Sequence, residues 1–386
     1  MDFTLPEEIS QLRLLARRFI RQELLPLEKQ VEETGEFPKE LRGKLKQKAV
    51  ELGLWNYSAP VEYGGGGMGI LAVAVVHAEL GWVSQSLGLV GDVIGVGSEY
   101  YLSRVTEEQK KKYLLPLVGG EKEFFAAMTE PNAGSDVSNM ETRADKRGDS
   151  YILNGTKIFI TNADRADFGL VWVVADWQKR AKGSITCFIV DRDTPGMTAR
   201  HITMLGRHGA STCEVNFVDC VVPEKNILGE LGGGLSMIRQ GLVLTRIAAA
   251  AYCIGAAERV FQISREYAKQ RVTFGKTLAE RQLVQSMLVD TAMDIYASRM
   301  MLYNVAWEAD QGIDVQQTAT MLKIFATEMA CRAADRGIQI HGGYGYNKEL
   351  PLELIYRDVR LMRIGDGATE VLKSWLGTRL LEIPFT

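Results

Sequence analysis

The sequence predicts an α+β protein in which two helical domains flank a central β domain. Apolar residues recur at helical spacing over roughly the first 120 residues, alternate with period two from about 124 to 223, and return to helical spacing from 234. We therefore predict an N-terminal helical domain (1–122), a β-barrel-like domain (123–232) and a C-terminal four-helix bundle (233–386). A chain of 386 residues is long enough for two or three cores.

The composition is that of an ordinary globular protein and argues against several classes. Hydrophobic residues make up 46% and charged residues 24%, and a net charge of −3 with interspersed signs gives no basic face for nucleic acid. Five cysteines without a C-x-x-C pair, and only four histidines, argue against a metal centre and indicate reduced thiols in a cytoplasmic protein. The acidic N-terminus predicts no signal peptide, and no apolar run approaches the ~18 residues that span a bilayer.

The N-terminal third is predicted to be helical. Thr4 and Glu7 are expected to form a capping box before a helix whose apolar face carries Ile9, Leu12, Leu15 and Phe19. A second amphipathic helix is predicted at about 38–54, and one or two buried helices at about 71–101. Tyr63–Gly69 matches G-x-G-x-x-G, but no strand precedes it, so we predict a flexible loop instead of a dinucleotide site.

The central third is predicted to form strands. Asn154-Gly155 stands between two alternating runs, 151–153 and 156–161, which is a typical β-hairpin signal. Further strands are predicted at about 169–175, 184–190 and 212–219. Long helices follow, which we place at about 234–270, 277–310, 315–340 and 351–382.

A Gly-Asp-Gly turn near the C-terminus places Asp366 under little steric cover, because glycines on either side can adopt positive φ. Thr369 reads as the start of a helix, whose partial positive charge favours an ionised carboxylate just before it. Such a carboxylate can take a proton from a bound molecule. An aspartate in this position can equally serve only as a helix cap.

Two stretches of the β domain have residues suited to a cofactor. Gly134 and Ser135 offer amides and a hydroxyl in one turn, as phosphate oxygens require, or they form an ordinary surface loop. Phe159 and Thr161 lie on the same face of one strand. They could flank a flat heterocycle, or belong to the core and the edge of the sheet.

Four motifs in order carry a resemblance to a known family. They are Thr129-Glu-Pro-Asn-Ala-Gly-Ser-Asp136, Ile160-Thr-Asn162, Arg271-Val-Thr-Phe274-Gly-Lys and Gln339-Ile-His-Gly-Gly-Tyr-Gly-Tyr-Asn347. With the Gly-Asp-Gly turn as a fifth, their order and spacing resemble the acyl-CoA dehydrogenase family over essentially the whole chain. The resemblance implies non-covalent FAD, an acyl-CoA substrate, electron-transfer flavoprotein or a similar acceptor, and a homo-oligomer, usually a dimer of dimers.

The resemblance also implies roles for individual residues. The implied FAD contacts are Met128, Thr129, Gly134, Ser135, Phe159, Thr161, Arg271, Phe274, Gln339, Gly342, Gly343, Ala368 and Glu370. Of these, Arg271, Phe274, Gln339 and Gly343 are expected to reach the FAD of a neighbouring subunit. The implied base is Asp366, and the implied substrate contacts are Ser135, Thr245, Arg246, Gly365 and Gly367.

This chain departs from the family pattern where the base lies. Asp366 replaces the usual Glu, Gly365 lacks a bulky side chain often found there, and Thr245 stands where some members carry an alternative Glu. Phe159, Ala368 and Glu370 replace a common Trp, Thr and Gln. A shorter base beside a missing side chain indicates a roomier pocket, which favours a cyclic or branched acyl group of the cyclohexane- or cyclohexene-carboxyl-CoA type. A short or medium straight-chain dehydrogenase, a flavin oxidase of the nitroalkane type and a non-catalytic helical interaction protein remain as alternatives.

Overall fold

The computed structural model describes residues 4–95, 103–179 and 183–382. Its first part is helical, as predicted, with α1 (Glu7–Phe19), α2 (Glu28–Thr34), α3 (Lys39–Glu51), α4 (Ile70–Leu80), α5 (Glu107–Gln109) and α6 (Leu115–Val118). The buried helix predicted from 71 ends at Leu80, and residues 96–101 of that prediction lie outside the described residues.

Two local predictions for this part are wrong. Pro6, not Thr4, is the N-cap residue of α1 and makes no side-chain cap bond, while the Glu7 carboxylate accepts a hydrogen bond from Gln11 one turn later. The glycine run 63–69 is not a loose loop, because its amides bond to carbonyls of the preceding turn and a Cβ at Gly65 would lie 2.1 Å from the Ala59 oxygen.

The middle of the chain forms one eight-stranded sheet. Its strands are β1 (Phe124–Ala127), β2 (Arg143–Arg147), β3 (Ser150–Thr161), β4 (Phe168–Val174), β5 (Ile185–Asp191), β6 (Met197–His201), β7 (Thr212–Pro223) and β8 (Ile227–Leu228). The order is β6-β7-β3-β2-β4-β5-β8, with β1 parallel to β4. β4 and β5 are buried on both faces: one face packs on N-terminal helices and the other on β3 and β7, so the sheet curls around its own core.

The hairpin predicted at Asn154-Gly155 is wrong, because β3 passes through it as one strand. The register against β7 shifts at this point, and the side chain of Asn154 is bound to Asp219, whose backbone N–H donates to it over 2.9 Å. Asn154 therefore holds a bulge to the neighbouring strand instead of starting a turn. The observed hairpin lies just before, at Gly148 (φ 58°), where Arg147 pairs with Ser150.

The last part contains α7 (Gly234–Gln270), α8 (Gln282–Asp310), α9 (Gln316–His341), α10 (Leu352–Met362) and α11 (Thr369–Glu382). A small hairpin of β9 (Val272–Thr273) and β10 (Lys276–Thr277) precedes α8, so that helix begins later than predicted. The single helix predicted at 351–382 is two helices, separated by the Gly-Asp-Gly turn. The predicted four-helix layout holds only if α10 and α11 are counted as one broken element.

Helices from both ends of the chain share one hydrophobic core around α7. The α4–α7 contact is so close that a Cβ at Gly255 would lie 1.8 Å from the Ala78 oxygen. Glu28 of α2 and Arg259 of α7 form a buried ion pair, with both carboxylate oxygens 2.7 Å from guanidinium nitrogens. Among the described residues α7 alone is long and apolar enough to cross a membrane, but 61% of its apolar window is buried here, as in a core helix.

Candidate active site

The Gly-Asp-Gly turn is held in place through its main chain. Asp366 (φ 54°) and Gly367 (φ 104°) both have left-handed backbone conformations. Arg246 Nε of α7 donates to the Asp366 carbonyl over 3.2 Å, and Lys323 Nζ of α9 donates to the Gly367 carbonyl over 2.6 Å. A non-glycine residue at positive φ costs about 1–3 kcal/mol and persists only when its surroundings hold it. Two cations from different helices supply that restraint.

Burial is the main influence on the Asp366 carboxyl group. It raises the pKa of Asp366 above its ordinary value, while the cations Lys323 and Arg246 oppose the shift. The sequence-based expectation that the helix N-terminus would favour the ionised form is therefore outweighed by desolvation. A half-buried carboxylate with a raised pKa is a stronger base than one in water, as proton abstraction requires.

A third cation, which the sequence analysis did not identify, lies beside this turn. Arg207 is half-buried, has φ 60°, and donates from its guanidinium to Thr161 Oγ1 over 3.2 Å. Its own backbone N–H donates to the carboxylate of Asp358, which is fully buried and also accepts from the backbone N–H of Gln85. Arg207 and Asp366 lie within electrostatic reach of each other. Arg207 thus interacts both with Thr161 of the sheet, through a hydrogen bond, and with Asp366 of the helical part, through its charge.

The loop that carries Thr129 is fastened to β3 by a buried ion pair. Lys157 Nζ donates to Glu130 over 2.7 Å and to the Met128 carbonyl over 3.1 Å, and both charged side chains are almost fully buried. Burial lowers the pKa of Lys157 to about 8. The Thr129 carbonyl accepts from the N–H of Ile158. Met128 and Thr129 therefore lie directly beside the strand that carries Phe159 and Thr161.

This side of the sheet has the surface that a flavin needs. Phe159 sits at φ 61° in an irregular part of β3 and is 55% exposed, and Thr161, two residues later, is half-buried. Gly134 and Ser135 are exposed in the adjoining turn. An uncovered aromatic ring next to hydroxyls and a glycine turn fits a flat heterocycle with a phosphate-bearing tail. Ala368 is half-buried and Glu370 is exposed near the Asp366 turn.

A second group of predicted residues lies elsewhere. Arg271, Gln339, Gly342 and Gly343 line a cleft of ≈ 500 Å³ between the ends of α7 and α9. Phe274, at the tip of the β9–β10 hairpin, is 99% exposed. Gln339 follows Lys323 by 16 residues of helix, which corresponds to about 24 Å. One chain therefore does not bring this cleft together with the Asp366 turn.

Comparison with known proteins agrees with this architecture. The described domains match three family models, "Acyl-CoA dehydrogenase, N-terminal domain" over residues 6–121, "middle domain" over 126–220 and "C-terminal domain" over 232–381. The chain belongs to the acyl-CoA dehydrogenase family. This family consists of FAD-dependent oxidoreductases, so the chain is an acyl-CoA dehydrogenase by family and FAD is its cofactor.

Individual relatives cover the whole length of the chain. It is 37% identical to "Probable acyl-CoA dehydrogenase YngJ" of Bacillus subtilis, over 99% of this chain and all of that one. It is 35% identical to (R)-benzylsuccinyl-CoA dehydrogenase of Thauera aromatica, over 99% of this chain and 97% of that one. The structure of butyryl-CoA dehydrogenase from Megasphaera elsdenii aligns with a TM-score of 0.92 at 35% identity, covering 99% and 100% of the two chains.

Proposed function

We propose that this acyl-CoA dehydrogenase uses Asp366 to remove a proton from a cyclic or branched acyl-CoA and passes electrons to an electron-transfer flavoprotein. The observation that carries the proposal is the placement of Asp366. Its carboxyl group is half-buried with a raised pKa, on a turn whose carbonyls are held by Arg246 and Lys323. FAD, when bound, would supply the acceptor for the hydride that leaves the neighbouring carbon.

The chain contributes a base and a hydrogen-bond donor. Asp366 Oδ takes the proton from the carbon next to the thioester carbonyl, a weak acid until that carbonyl oxygen is polarised. Among the described residues no carbonyl accepts the backbone N–H of Asp366. That N–H is therefore available to the thioester oxygen. The base and the donor lie on one restrained turn. The carboxylate is therefore held at the proton it removes while the N–H is held at the thioester oxygen that gains negative charge.

The space beside the base supports a bulky acyl group. A Cβ at Gly365 would have a single neighbour, the Leu361 oxygen at 3.8 Å, so the space beside this residue is open. Thr245, on the facing helix α7, is small and bonds to the Leu242 carbonyl. The relatives do not decide between a cyclic and a straight acyl group. Two of them are each 35% identical to this chain, and one is named for a benzylsuccinyl group, which carries a ring, and the other for a straight butyryl group.

Alicyclic acyl-CoAs are expected to exceed straight chains of equal carbon number by at least about tenfold in kcat/KM. A ring fills the volume beside Gly365 and brings its carbons toward a carboxylate that is one methylene shorter than Glu. Gly365→Tyr is expected to reduce turnover of ring substrates selectively, because Tyr fits the open space without positive φ. Faster turnover of octanoyl-CoA than of the cyclohexane and cyclohexene thioesters would contradict the ring preference and leave a straight-chain dehydrogenase.

Flavin reduction by substrate is expected to fall as the pH is lowered through the pKa of Asp366, since only the ionised carboxylate accepts a proton. Burial raises this pKa, so the midpoint should lie above the ordinary 3.8 of an aspartate. Lys323→Met removes a cation that lowers the pKa, and the midpoint should move to higher pH. Lys269→Met, on the exposed end of α7, is the matched control. A midpoint that is unchanged in the Lys323 variant would assign the titration to another group.

We further propose that the Arg271 cleft binds the FAD of a neighbouring subunit, with the tetramer as the functional form. The ~24 Å between Lys323 and Gln339 along one helix supports this, because it separates the cleft from the Asp366 turn of its own chain. Arg271→Ala is expected to lower FAD retention and the oligomer mass together. Sedimentation and the flavin-to-protein ratio measure both, and full retention of both would exclude the shared site.

An aspartate base also suits a flavin oxidase that acts on acidic C–H bonds, such as a nitroalkane. Oxygen consumption separates the two activities. A dehydrogenase reduced by acyl-CoA should react slowly with oxygen and rapidly with electron-transfer flavoprotein or a dye. Rapid oxygen use with a nitroalkane, and no bleaching by any acyl-CoA, would favour the oxidase. A purified protein that takes up no FAD would favour a non-catalytic role.

A further inference from the structure

The charged side chains that act most strongly on Asp366 are all cations. Three cations, Arg207, Arg246 and Lys323, act on this one carboxyl group. Asp358 and Asp92 also act on Arg207. Burial raises the pKa of Asp358 to about 6, and the backbone N–H groups of Gln85 and Arg207 donate to its carboxylate. The two cations on α7 and α9 are committed to the turn, since Arg246 and Lys323 both donate to its carbonyls.

Arg207 is the exception among these cations. Within residues 4–95, 103–179 and 183–382 its guanidinium forms no ion pair, its single side-chain hydrogen bond goes to Thr161, and its Nε is buried without a partner. A half-buried guanidinium with no carboxylate within ion-pair distance bears a desolvation cost that a bound anion would relieve. The planar fork of arginine matches a carboxylate with two parallel hydrogen bonds.

The position of Arg207 limits where such an anion can come from. Thr161 follows the exposed Phe159 by two residues on β3, and Asp366 lies within electrostatic reach of Arg207. The guanidinium is therefore bonded to the strand of the proposed flavin face and lies within electrostatic reach of the proposed base. A molecule whose reacting carbon lies under Asp366 has its acyl group here.

The backbone around Arg207 presents the side chain in one direction. Its φ of 60° is uncommon for a branched-chain or long residue, and its N–H is bound to Asp358 Oδ1 over 3.0 Å. The preceding Gly206 allows this approach, because a Cβ there would lie 2.7 Å from the same oxygen. Asp358 also accepts a hydrogen bond from the backbone N–H of Gln85, so this buried carboxylate holds the main chain of Arg207 and forms no hydrogen bond with its guanidinium.

We propose that Arg207 binds a carboxylate carried by the acyl group, so that the substrate is a CoA thioester of a dicarboxylic acid. This rests on the proposed acyl-CoA dehydrogenation and names the chemical class of its substrate. The second carboxylate pairs with Arg207 while the thioester end lies at Asp366. A dicarboxylic substrate is compatible with a cyclic acyl group, whose ring would carry both the thioester and the second carboxylate.

The test compares two cyclohexanecarboxyl-CoA thioesters, one with a second carboxylate on the ring and one without, on the FAD-loaded enzyme. Binding is measured from the flavin spectrum and turnover from kcat/KM. The carboxylated thioester is expected to bind at least about tenfold more tightly, and Arg207→Gln is expected to weaken its binding at least about tenfold more than that of the uncharged thioester. Arg207→Lys keeps the charge but not the fork, and should restore part of the preference.

Two results would overturn the assignment. Equal binding of the two thioesters by the unmodified enzyme would show that no acyl carboxylate is recognised. Equal weakening of both by Arg207→Gln, with a shift of the flavin reduction potential, would show that the guanidinium serves the cofactor instead. Because binding is read without turnover, failure of the dehydrogenase activity and failure of carboxylate recognition give different results.

Discussion

Asp366→Asn is expected to slow flavin reduction by acyl-CoA by roughly 10²–10⁴-fold, the usual contribution of a general base. The amide has the shape of the carboxylate but cannot accept the proton. The restraints on the turn should survive, because Arg246 and Lys323 bind main-chain carbonyls and not the Asp366 side chain. FAD content and acyl-CoA affinity should therefore stay close to those of the unmodified enzyme, and rapid-mixing absorbance under anaerobic conditions measures the rate.

Asp366→Glu is the matched control for this variant. It keeps a carboxylate and adds one methylene, so reduction should persist, with the ring preference reduced as the base moves toward the acyl chain. If Asp366→Asn reduced its flavin at a rate close to that of the unmodified enzyme, the base would have to be another residue.

Lys157→Met is expected to destabilise the protein by about 3–5 kcal/mol, because it leaves the buried carboxylate of Glu130 without its cation. Both side chains of the pair are almost fully buried, and the lysine also holds the Met128 carbonyl. Glu130 keeps its bonds from the N–H groups of Glu141 and Thr142, which fasten the loop only from one side. The variant should therefore lose FAD affinity as well as unfolding free energy, measured by urea denaturation.

The double variant Glu130→Gln/Lys157→Met should recover part of the loss, since no uncompensated charge remains buried. Lys225→Met, which breaks the exposed pair with Glu108, should leave the urea midpoint unchanged within error. A Lys157 variant as stable as the unmodified protein would mean that the pair does not hold the loop.

The fold could be predicted because helical and alternating patterns are local properties of the sequence. The same local reasoning failed at Asn154, where a side-chain bond to Asp219 of another strand turned a hairpin signal into a bulge. It also joined α10 and α11 into one helix, although the Gly-Asp-Gly turn between them carries the signal for a break.

The candidate site likewise contains some residues that the local sequence indicates and others that it does not. Asp366 could be found because two glycines and a helix start surround it, and the structure places it in a restrained turn. Arg207 and the Glu130–Lys157 pair gave no such signal, since their partners lie far away in sequence: Asp358 follows Arg207 by 151 residues, and Lys157 follows Glu130 by 27. The contacts predicted for Arg271, Phe274 and Gln339 remain predictions, because they concern a second subunit.

The most direct measurement of the central claim isolates proton abstraction by Asp366. With the flavin reduced beforehand, hydride transfer is blocked, and deuterium from D₂O enters the carbon next to the thioester only through the base. Mass spectrometry of the recovered acyl-CoA is expected to show rapid exchange with the unmodified enzyme and with Asp366→Glu, and exchange slowed by roughly 10²–10⁴-fold with Asp366→Asn. Equal exchange by all three enzymes would show that Asp366 is not the base.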